Sequence, residues 1–335
     1  MSHSSNAALR RHSSRVVMTR CRLIPCSSCR SRSAGILALA TLLLIGLAAC
    51  NPQGNKLSTT APYSPTAAYV DASRLSVTKT TGRVLTFTGG PTGALISPAF
   101  RLKPDEHIAC IWQGRAVGAS PSLSLTLAPV QGSQMGSDEV TYTTDLSAGT
   151  SVLGIASGEW AGEARLHISA TNFQWGVHLI VGGRSLVTYQ NSALGFSLTF
   201  DPLQAALTTH LLSMTEARRA NAEGGLRVSV FSPPGGYVLS LEATKSSNSQ
   251  GTPRQVESLV SEMQGKAVGV PSRVTLDHIS GFKLRFQQGS SRGTAYIFTP
   301  GHMLYRIIAL HEKSKPTAER ALARLLAATR LAQYH

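Results

Sequence analysis

Alternating apolar and polar positions run through the middle of the chain and predict short β-strands. In residues 122–127, Leu123, Leu125 and Leu127 fall on one face of an extended segment, with Ser and Thr between them. Residues 165–170 and 175–181 repeat the two-residue period, and Gly, Pro and Ser lie between such segments. No helical period interrupts them. The pattern predicts an all-β sandwich over residues 75–185.

The period changes in the second half of the chain, where we expect an α+β domain over residues 188–335. Apolar residues three or four apart predict helices at residues 202–223, 253–266 and 316–332, and Gly224-Gly225 ends the first of them. Asp201 and Pro202 provide the expected start of the first of these helices. Strands are predicted at residues 195–200, 226–231, 237–241, 273–277, 282–287, 294–298 and 303–310. The predicted fold class is two domains: an N-terminal all-β sandwich and a C-terminal antiparallel sheet with helices packed on its faces.

The predicted sandwich resembles CUB-like or jelly-roll modules of bacterial envelope proteins. The resemblance rests on the order of four signals: Phe87-x-Gly89, Ser97-Pro98-Ala99-Phe100, Trp160-x-Gly162 and Trp175-x-Val177. It implies a role in binding or spacing. The paired cysteines and calcium-binding acids of true CUB domains are missing.

The second half is similar to the PsbP/Mog1-like family, including its bacterial lipoprotein relatives. The likeness begins with Gly195-Phe196-Ser197 leading into Asp201-Pro202. It continues with Ile279-Ser280-Gly281 leading into residues 282–286, a Gly-rich turn, two long strands and a closing helix. It implies an antiparallel sheet with helices on both faces, and a role as a binding or assembly factor.

The start of the chain has the pattern of a secretory signal peptide, which we place at residues 1–49. Seven arginines and no acidic residue precede a mostly apolar run at residues 35–47. Leu47-Ala48-Ala49-Cys50 resembles the lipobox of bacterial lipoproteins. The resemblance implies cleavage between Ala49 and Cys50, a diacylglycerol on the Cys50 thiol, and a location on the extracytoplasmic side of the cell membrane. A plain membrane helix is the alternative, although the run is short for a span.

Charge and composition change once this leader is removed. The net charge falls from +15 to +8, and Met18 is an alternative start that leaves a leader of ordinary length. Residues 50–74, rich in Ser, Thr, Pro and Ala, are expected to form a disordered tether. A basic surface favours anionic lipid or wall polymer over nucleic acid in an exported chain, and an ordinary solvated surface is the alternative.

Motifs that could indicate catalysis or metal binding are weak throughout the chain. Cys21, Cys26 and Cys29 have metal-like spacing but lie in the leader, whereas Cys110 is expected to be a buried apolar residue. The G-x-S-x-G pattern at residues 289–293 is expected in a hairpin, because a strand follows it where a nucleophile elbow needs a helix. We therefore predict no catalytic residue, metal or cofactor.

One group of side chains is a candidate partner-binding face. Arg285, Tyr296, Tyr305 and Arg306 alternate along neighbouring predicted strands. Aromatic and Arg-rich faces are common at interfaces, and the alternative is a sheet face covered by the closing helix. The sequence favours a non-catalytic binding or assembly module of the envelope, anchored in membrane lipid through Cys50, with an unknown envelope protein, polymer or lipid as partner. An envelope hydrolase and a purely structural spacer are the alternatives.

Overall fold

The computed structural model describes residues 72–103, 106–130, 140–145, 151–156, 162–219, 222–232, 234–246 and 251–332. All of them belong to one compact unit. Cys50, the signal peptide and nearly all of the predicted tether lie outside the described residues. None of the helices in these ranges has the length and hydropathy needed to cross a bilayer.

Eleven antiparallel strands form the largest sheet. In spatial order they are β16 (Lys266–Leu276), β17 (Ile279–Gln288), β18 (Ser291–Phe298), β19 (Met303–Glu312), β15 (Tyr237–Ser246), β14 (Ala222–Ser232), β13 (Ala206–Leu211), β8 (Ser151–Ala156), β5 (His107–Ala116), β10 (Phe173–Val181) and β2 (Arg83–Gly89). The sheet is narrowest between β13 and β8, which are paired through Leu207 and Val152. It therefore joins strands from both halves of the chain and leaves β16 as an end strand.

Two smaller sheets accompany it. One contains β3 (Gly93–Ile96), β9 (Gly162–Thr171), β6 (Ser122–Pro129) and β7 (Val140–Asp145), with β4 (Phe100–Leu102) also paired to β9. The other contains β1 (Ser73–Thr80), β11 (Ser185–Asn191), β12 (Phe196–Phe200) and β20 (Thr329–Leu331). The helices in the described ranges are α1 (Met214–Arg219), α2 (Pro253–Glu262) and α3 (Pro316–Ala327).

The predicted alternation in the first half is confirmed by burial. Leu123, Leu125 and Leu127 on β6 are all buried, in one cluster with residues of β5, β9 and β10. Cys110 and Trp112 of β5 lie in the same cluster, as the sequence predicts. Two sheets thus share this core, because their inward positions recur every second residue.

The predicted fold class is wrong. Strands, and not helices, make up most of the described chain, and the eleven-stranded sheet combines strands from both predicted domains. Three short helices of six, ten and twelve residues replace the predicted helical layers. The boundary placed near residues 185–188 falls inside β11.

The largest single error is the helix predicted at residues 202–223, whose described residues are helical only at Met214–Arg219. Asp201 caps a turn instead, accepting a hydrogen bond of 2.9 Å from the Leu203 backbone N–H to its Oδ1. The chain then continues as β13, paired with β14. Leu203, Leu207 and Leu211 are four residues apart, and this spacing places them on one face of a strand as well as of a helix. The pattern was therefore compatible with both structures.

The closing helix is shorter than predicted. It ends at Ala327, and Thr329–Leu331 forms β20 against β12. The Thr329 hydroxyl donates a hydrogen bond of 3.0 Å to the Leu325 carbonyl oxygen at this transition. Pairing with Phe196 places Leu331 in the core, which the helical pattern alone did not indicate.

Candidate functional site

The four side chains of the predicted partner face do not lie together. Residues paired across antiparallel strands share a face, and successive residues of a strand alternate. Tyr296 is paired with Lys283 on one side and Ile307 on the other. Arg285, Tyr296 and Tyr305 therefore project from one face of the sheet, and Arg306 projects from the opposite face.

Tyr305 is inaccessible and has a structural role. Its side chain is fully buried, and its hydroxyl donates to the carbonyl oxygens of Leu194 and Gly195 at 2.8 and 3.0 Å. Its ring meets that of Phe196 edge-on, with centroids 6.4 Å apart. Tyr305 thereby connects the eleven-stranded sheet to the turn before β12.

Arg306 belongs to a row of alternating charges, which we call the charge ladder. Its guanidinium pairs with Glu262 on α2 and lies 3.1 Å from Glu242 on β15. Glu242 lies 2.8 Å from Arg227 on β14, which in turn lies 3.2 Å from Glu216 on α1. The ladder consists of Glu216, Arg227, Glu242, Arg306 and Glu262. Arg306 and Glu242 are both less than a tenth exposed and are paired with each other. Neither charge is therefore available to a partner.

Glu216 ends the ladder near His210, at 3.5 Å from the imidazole Nε2. Burial alone would raise the pKa of the Glu216 carboxyl. Hydrogen bonds from Ser213 and the charges of Arg227 and His210 outweigh burial, so that its pKa lies below the ordinary value. The ionised form of Glu216 is therefore the one that the fold favours.

A different part of the predicted face is open to a partner. Val268, Val270, Ser272, Lys283 and Arg285 line a shallow groove of about 320 Å³ on the end strand and its neighbour, and we call it the edge groove. It contains Arg285, and Tyr296 lies beside it, half-buried and stacked on Phe298 with ring centroids 6.3 Å apart. Burial raises the pKa of the Tyr296 hydroxyl, while the Thr294 hydrogen bond and the nearby Arg285 charge act in the opposite direction.

A bulge in β16 shapes the edge groove. Val268 is paired with Arg285 and Ser272 with Lys283, so three residues of β16 stand opposite one residue of β17. Gly269 has a φ of +86°, a conformation that suits glycine. The extra residues push the chain outward and leave Val268 and Val270 53% and 82% exposed.

The cations of the edge groove have no carboxylate partner among the described residues. Within the described part of the chain, neither Lys283 nor Arg285 has a carboxylate within 4.0 Å. Neither β16 nor β17 contains an acidic residue. Exposed valines beside unpaired cations form a surface suited to an anionic partner with apolar parts.

Sequence reasoning found Arg285 but missed the other four residues of this groove. The predicted strand began only at Arg273, although Val268 and Val270 continue its alternation. Gly269 and Pro271 interrupt this run, and glycine or proline within a strand pattern indicates a bulge or an edge strand. That signal was available in the sequence.

The other residues considered for catalysis or metal binding contribute to the fold instead. Ser291, the serine of the G-x-S-x-G pattern, is the buried first residue of β18, which confirms the predicted hairpin. Burial raises the pKa of the Cys110 thiol to about 12. Across the residues that the structure describes, no three His, Cys, Asp or Glu side chains are grouped as a metal site.

Comparisons with known proteins give matches among solved structures alone. No protein-family model matches the chain, and no curated protein matches it. The solution structure of cyanobacterial PsbP (CyanoP) from Synechocystis sp. PCC 6803 is similar to 44% of this chain over 92% of its own length, at 11% identity and a TM-score of 0.34.

Proposed function

We propose that this protein is a lipid-anchored, extracytoplasmic lipoprotein that acts as a non-catalytic binding or assembly module of the cell envelope. Its anchor is Cys50, and its binding surface is the edge groove. The signal pattern ending in Leu47-Ala48-Ala49-Cys50 supports the anchor. Two or more acyl chains are needed for stable attachment, and a lipobox cysteine carries that number.

The observation that carries the binding role is the edge groove itself. Lys283 and Arg285 lack carboxylate partners among the described residues, and Val270 is the most exposed large apolar side chain there. Isolated exposed valines are ordinary, but two of them beside two unpaired cations form a contiguous amphipathic surface. Such a surface becomes favourable when a partner covers the valines and neutralises the charge.

Metabolic labelling with a clickable fatty acid tests the anchor. The wild-type chain and Cys110→Ser, a matched cysteine control, are expected to carry the label in a bacterial host. Cys50→Ser is expected to lose it, because the acylated thiol is gone. Persistent labelling of Cys50→Ser would contradict the proposed anchor.

Site-specific photo-cross-linking tests the binding surface. A photoreactive residue in place of Val270 is expected to give adducts with a protein, polymer or lipid partner in cells, and these should disappear when Lys283→Glu and Arg285→Glu are added. The same residue at Ile96, which is 56% exposed on β3, serves as the control. Identical adducts from both positions, or none from position 270, would rule out the edge groove as the binding surface.

A further inference from the structure

The most exposed large apolar side chain of the edge groove is at its outermost point. Val270 is 82% exposed, and a Cβ added to the preceding Gly269 would meet no atom within 4 Å. The apex of the bulge therefore stands free of the described residues around it. A projecting aliphatic side chain is buried only by a rigid partner with a matching pocket or by a soft surface that closes around it.

Three cations surround this apex on the same face of the sheet. Lys283 and Arg285 line the groove, and Lys266 lies two residues before Val268 on the same face of β16. The acid nearest in sequence, Asp277, lies in the turn after β16, where its carboxylate accepts a hydrogen bond from the Leu331 N–H and faces Arg330. The face around Val268 and Val270 is thus positive, and its natural counterpart is a negatively charged surface.

The lining favours lipid over a protein partner. Protein interfaces concentrate their binding energy in Trp, Tyr and Arg side chains held in packed pockets. The five lining residues contain two valines, one serine, one lysine and one arginine, with no aromatic anchor. Aliphatic side chains flanked by cations are typical of segments that enter the headgroup region of an anionic bilayer.

The proposed anchor brings such a surface within reach. The tether predicted from the sequence has about 25 residues, and a flexible segment of that length has a root-mean-square end-to-end distance of about 25–30 Å. The first described strand begins at Ser73, within the last two residues of this predicted segment. A folded unit held at that distance has a high effective concentration at the membrane surface. Even a weak second contact therefore forms often.

We propose that the edge groove binds the surface of an anionic phospholipid bilayer. Val268 and Val270 enter the headgroup layer, while Lys266, Lys283 and Arg285 contact lipid phosphates and the Ser272 hydroxyl donates to one of them. This assignment rests on the proposed binding role of the edge groove. It gives the protein a second, non-covalent membrane contact that orients it on the surface.

Vesicle co-sedimentation of the chain beginning at residue 50, with Cys50→Ser to remove the anchor, tests the assignment. Binding is expected with phosphatidylcholine vesicles containing about 30 mol % phosphatidylglycerol, and it should be at least about tenfold weaker with phosphatidylcholine alone. High salt should weaken it, because the attraction is screened within a Debye length. Lys283→Glu combined with Arg285→Glu should reduce partitioning at least about thirtyfold, and Val270→Ser about tenfold.

Matched controls and folding checks accompany these variants. Arg115→Glu with Arg165→Glu removes two exposed cations outside the groove, and Ile96→Ser removes an apolar side chain that is 56% exposed. Both controls should bind anionic vesicles as the parent does. Each variant is first shown to unfold at the parent's midpoint, so that weaker binding reports on the surface alone.

Three results would overturn the assignment: no binding to anionic vesicles, binding unchanged by the groove variants, or equal loss in the controls. Protein adducts from the photoreactive residue at position 270, together with absent vesicle binding, would reject the lipid surface and leave the proposed binding role standing. Loss of both would reject both. Because Cys50 is absent from the vesicle assay, failure of the anchor does not alter its outcome.

Discussion

The two faces of the sheet formed by β17, β18 and β19 differ in how their positive side chains are paired. On one face, Arg306 is buried and paired with Glu242 and Glu262. On the other, Lys283 and Arg285 line the edge groove with no carboxylate partner among the described residues. The same residue types, on opposite faces of one sheet, therefore contribute to stability on one side and are available for recognition on the other.

Desolvation explains the difference. A charge removed from water is tolerated only when opposite charges and hydrogen bonds surround it, which is why the ladder alternates in sign. A charge that stays in water needs no partner and contributes little to folding. Substitutions on the two faces should therefore separate stability from binding.

The largest effect is expected from breaking the ladder at its centre. Glu242→Ala removes one of the two carboxylate contacts of Arg227 and one of the two of Arg306, both largely buried. Because Glu216 and Glu262 still pair with these arginines, the cost is at the lower end for a broken buried pair. We expect the free energy of unfolding to fall by about 3 kcal/mol. Chemical denaturation measures it. Glu163→Ala, an exposed carboxylate on β9, should change it by less than about 0.5 kcal/mol, and equal effects would refute the ladder's role.

The next effect tests the structural role of Tyr305. Tyr305→Phe removes the hydroxyl that donates to the Leu194 and Gly195 carbonyl oxygens, in a fully buried position. We expect a loss of about 1–3 kcal/mol in unfolding free energy, because buried acceptors lose their donor. Tyr296→Phe, which keeps the ring stacked on Phe298, should lose less than Tyr305→Phe. The reverse order would show that Tyr305 is not the main connection.

A smaller effect depends on pH. The pKa of Glu216 is lowered in the folded state, so its ionised form stabilises the protein above its unfolded pKa, near 4.5. This contribution is lost as the pH falls through the lower folded value. The difference in unfolding free energy between wild type and Glu216→Gln should therefore be present at pH 6–7 and shrink below about pH 4. Denaturation across this range measures it, and a constant difference would contradict the role assigned to the carboxylate.

The smallest effect on stability is expected on the open face. Lys283→Glu with Arg285→Glu should change the unfolding free energy by less than about 0.5 kcal/mol, since neither cation pairs with a described carboxylate. Thermal unfolding of the double variant beside wild type measures it. A loss as large as that of Glu242→Ala would mean that these cations are structural, and the contrast between the two faces would disappear.

Part of the error in the predicted face could have been avoided from sequence alone. Tyr305 and Arg306 are consecutive, and consecutive residues of a strand point to opposite sides. The alternation that correctly placed Leu123, Leu125 and Leu127 inward also implies this separation. Which of the two faces is buried could not be predicted, because that depends on what packs against each.

The sequence by itself determined those strands and turns that depend on the order of apolar, polar and turn residues over a few positions. The hairpin between β17 and β18, the buried faces of β6 and β10, and the start of α2 at Pro253 are of this kind. The lipobox-like tetrapeptide is also local, and its role stays a prediction.

Only the tertiary structure decided the features that depend on distant partners. The leucines of residues 203–211 fit a helix or a strand equally well, and pairing of β13 with β14 and β8 selected the strand. Which arginine is paired and which is left in the edge groove likewise followed from residues far apart in sequence, such as Glu242 and Arg306. Short-range periodicity specifies how a segment alternates, whereas burial and charge pairing are set by the neighbours that the whole fold brings to it.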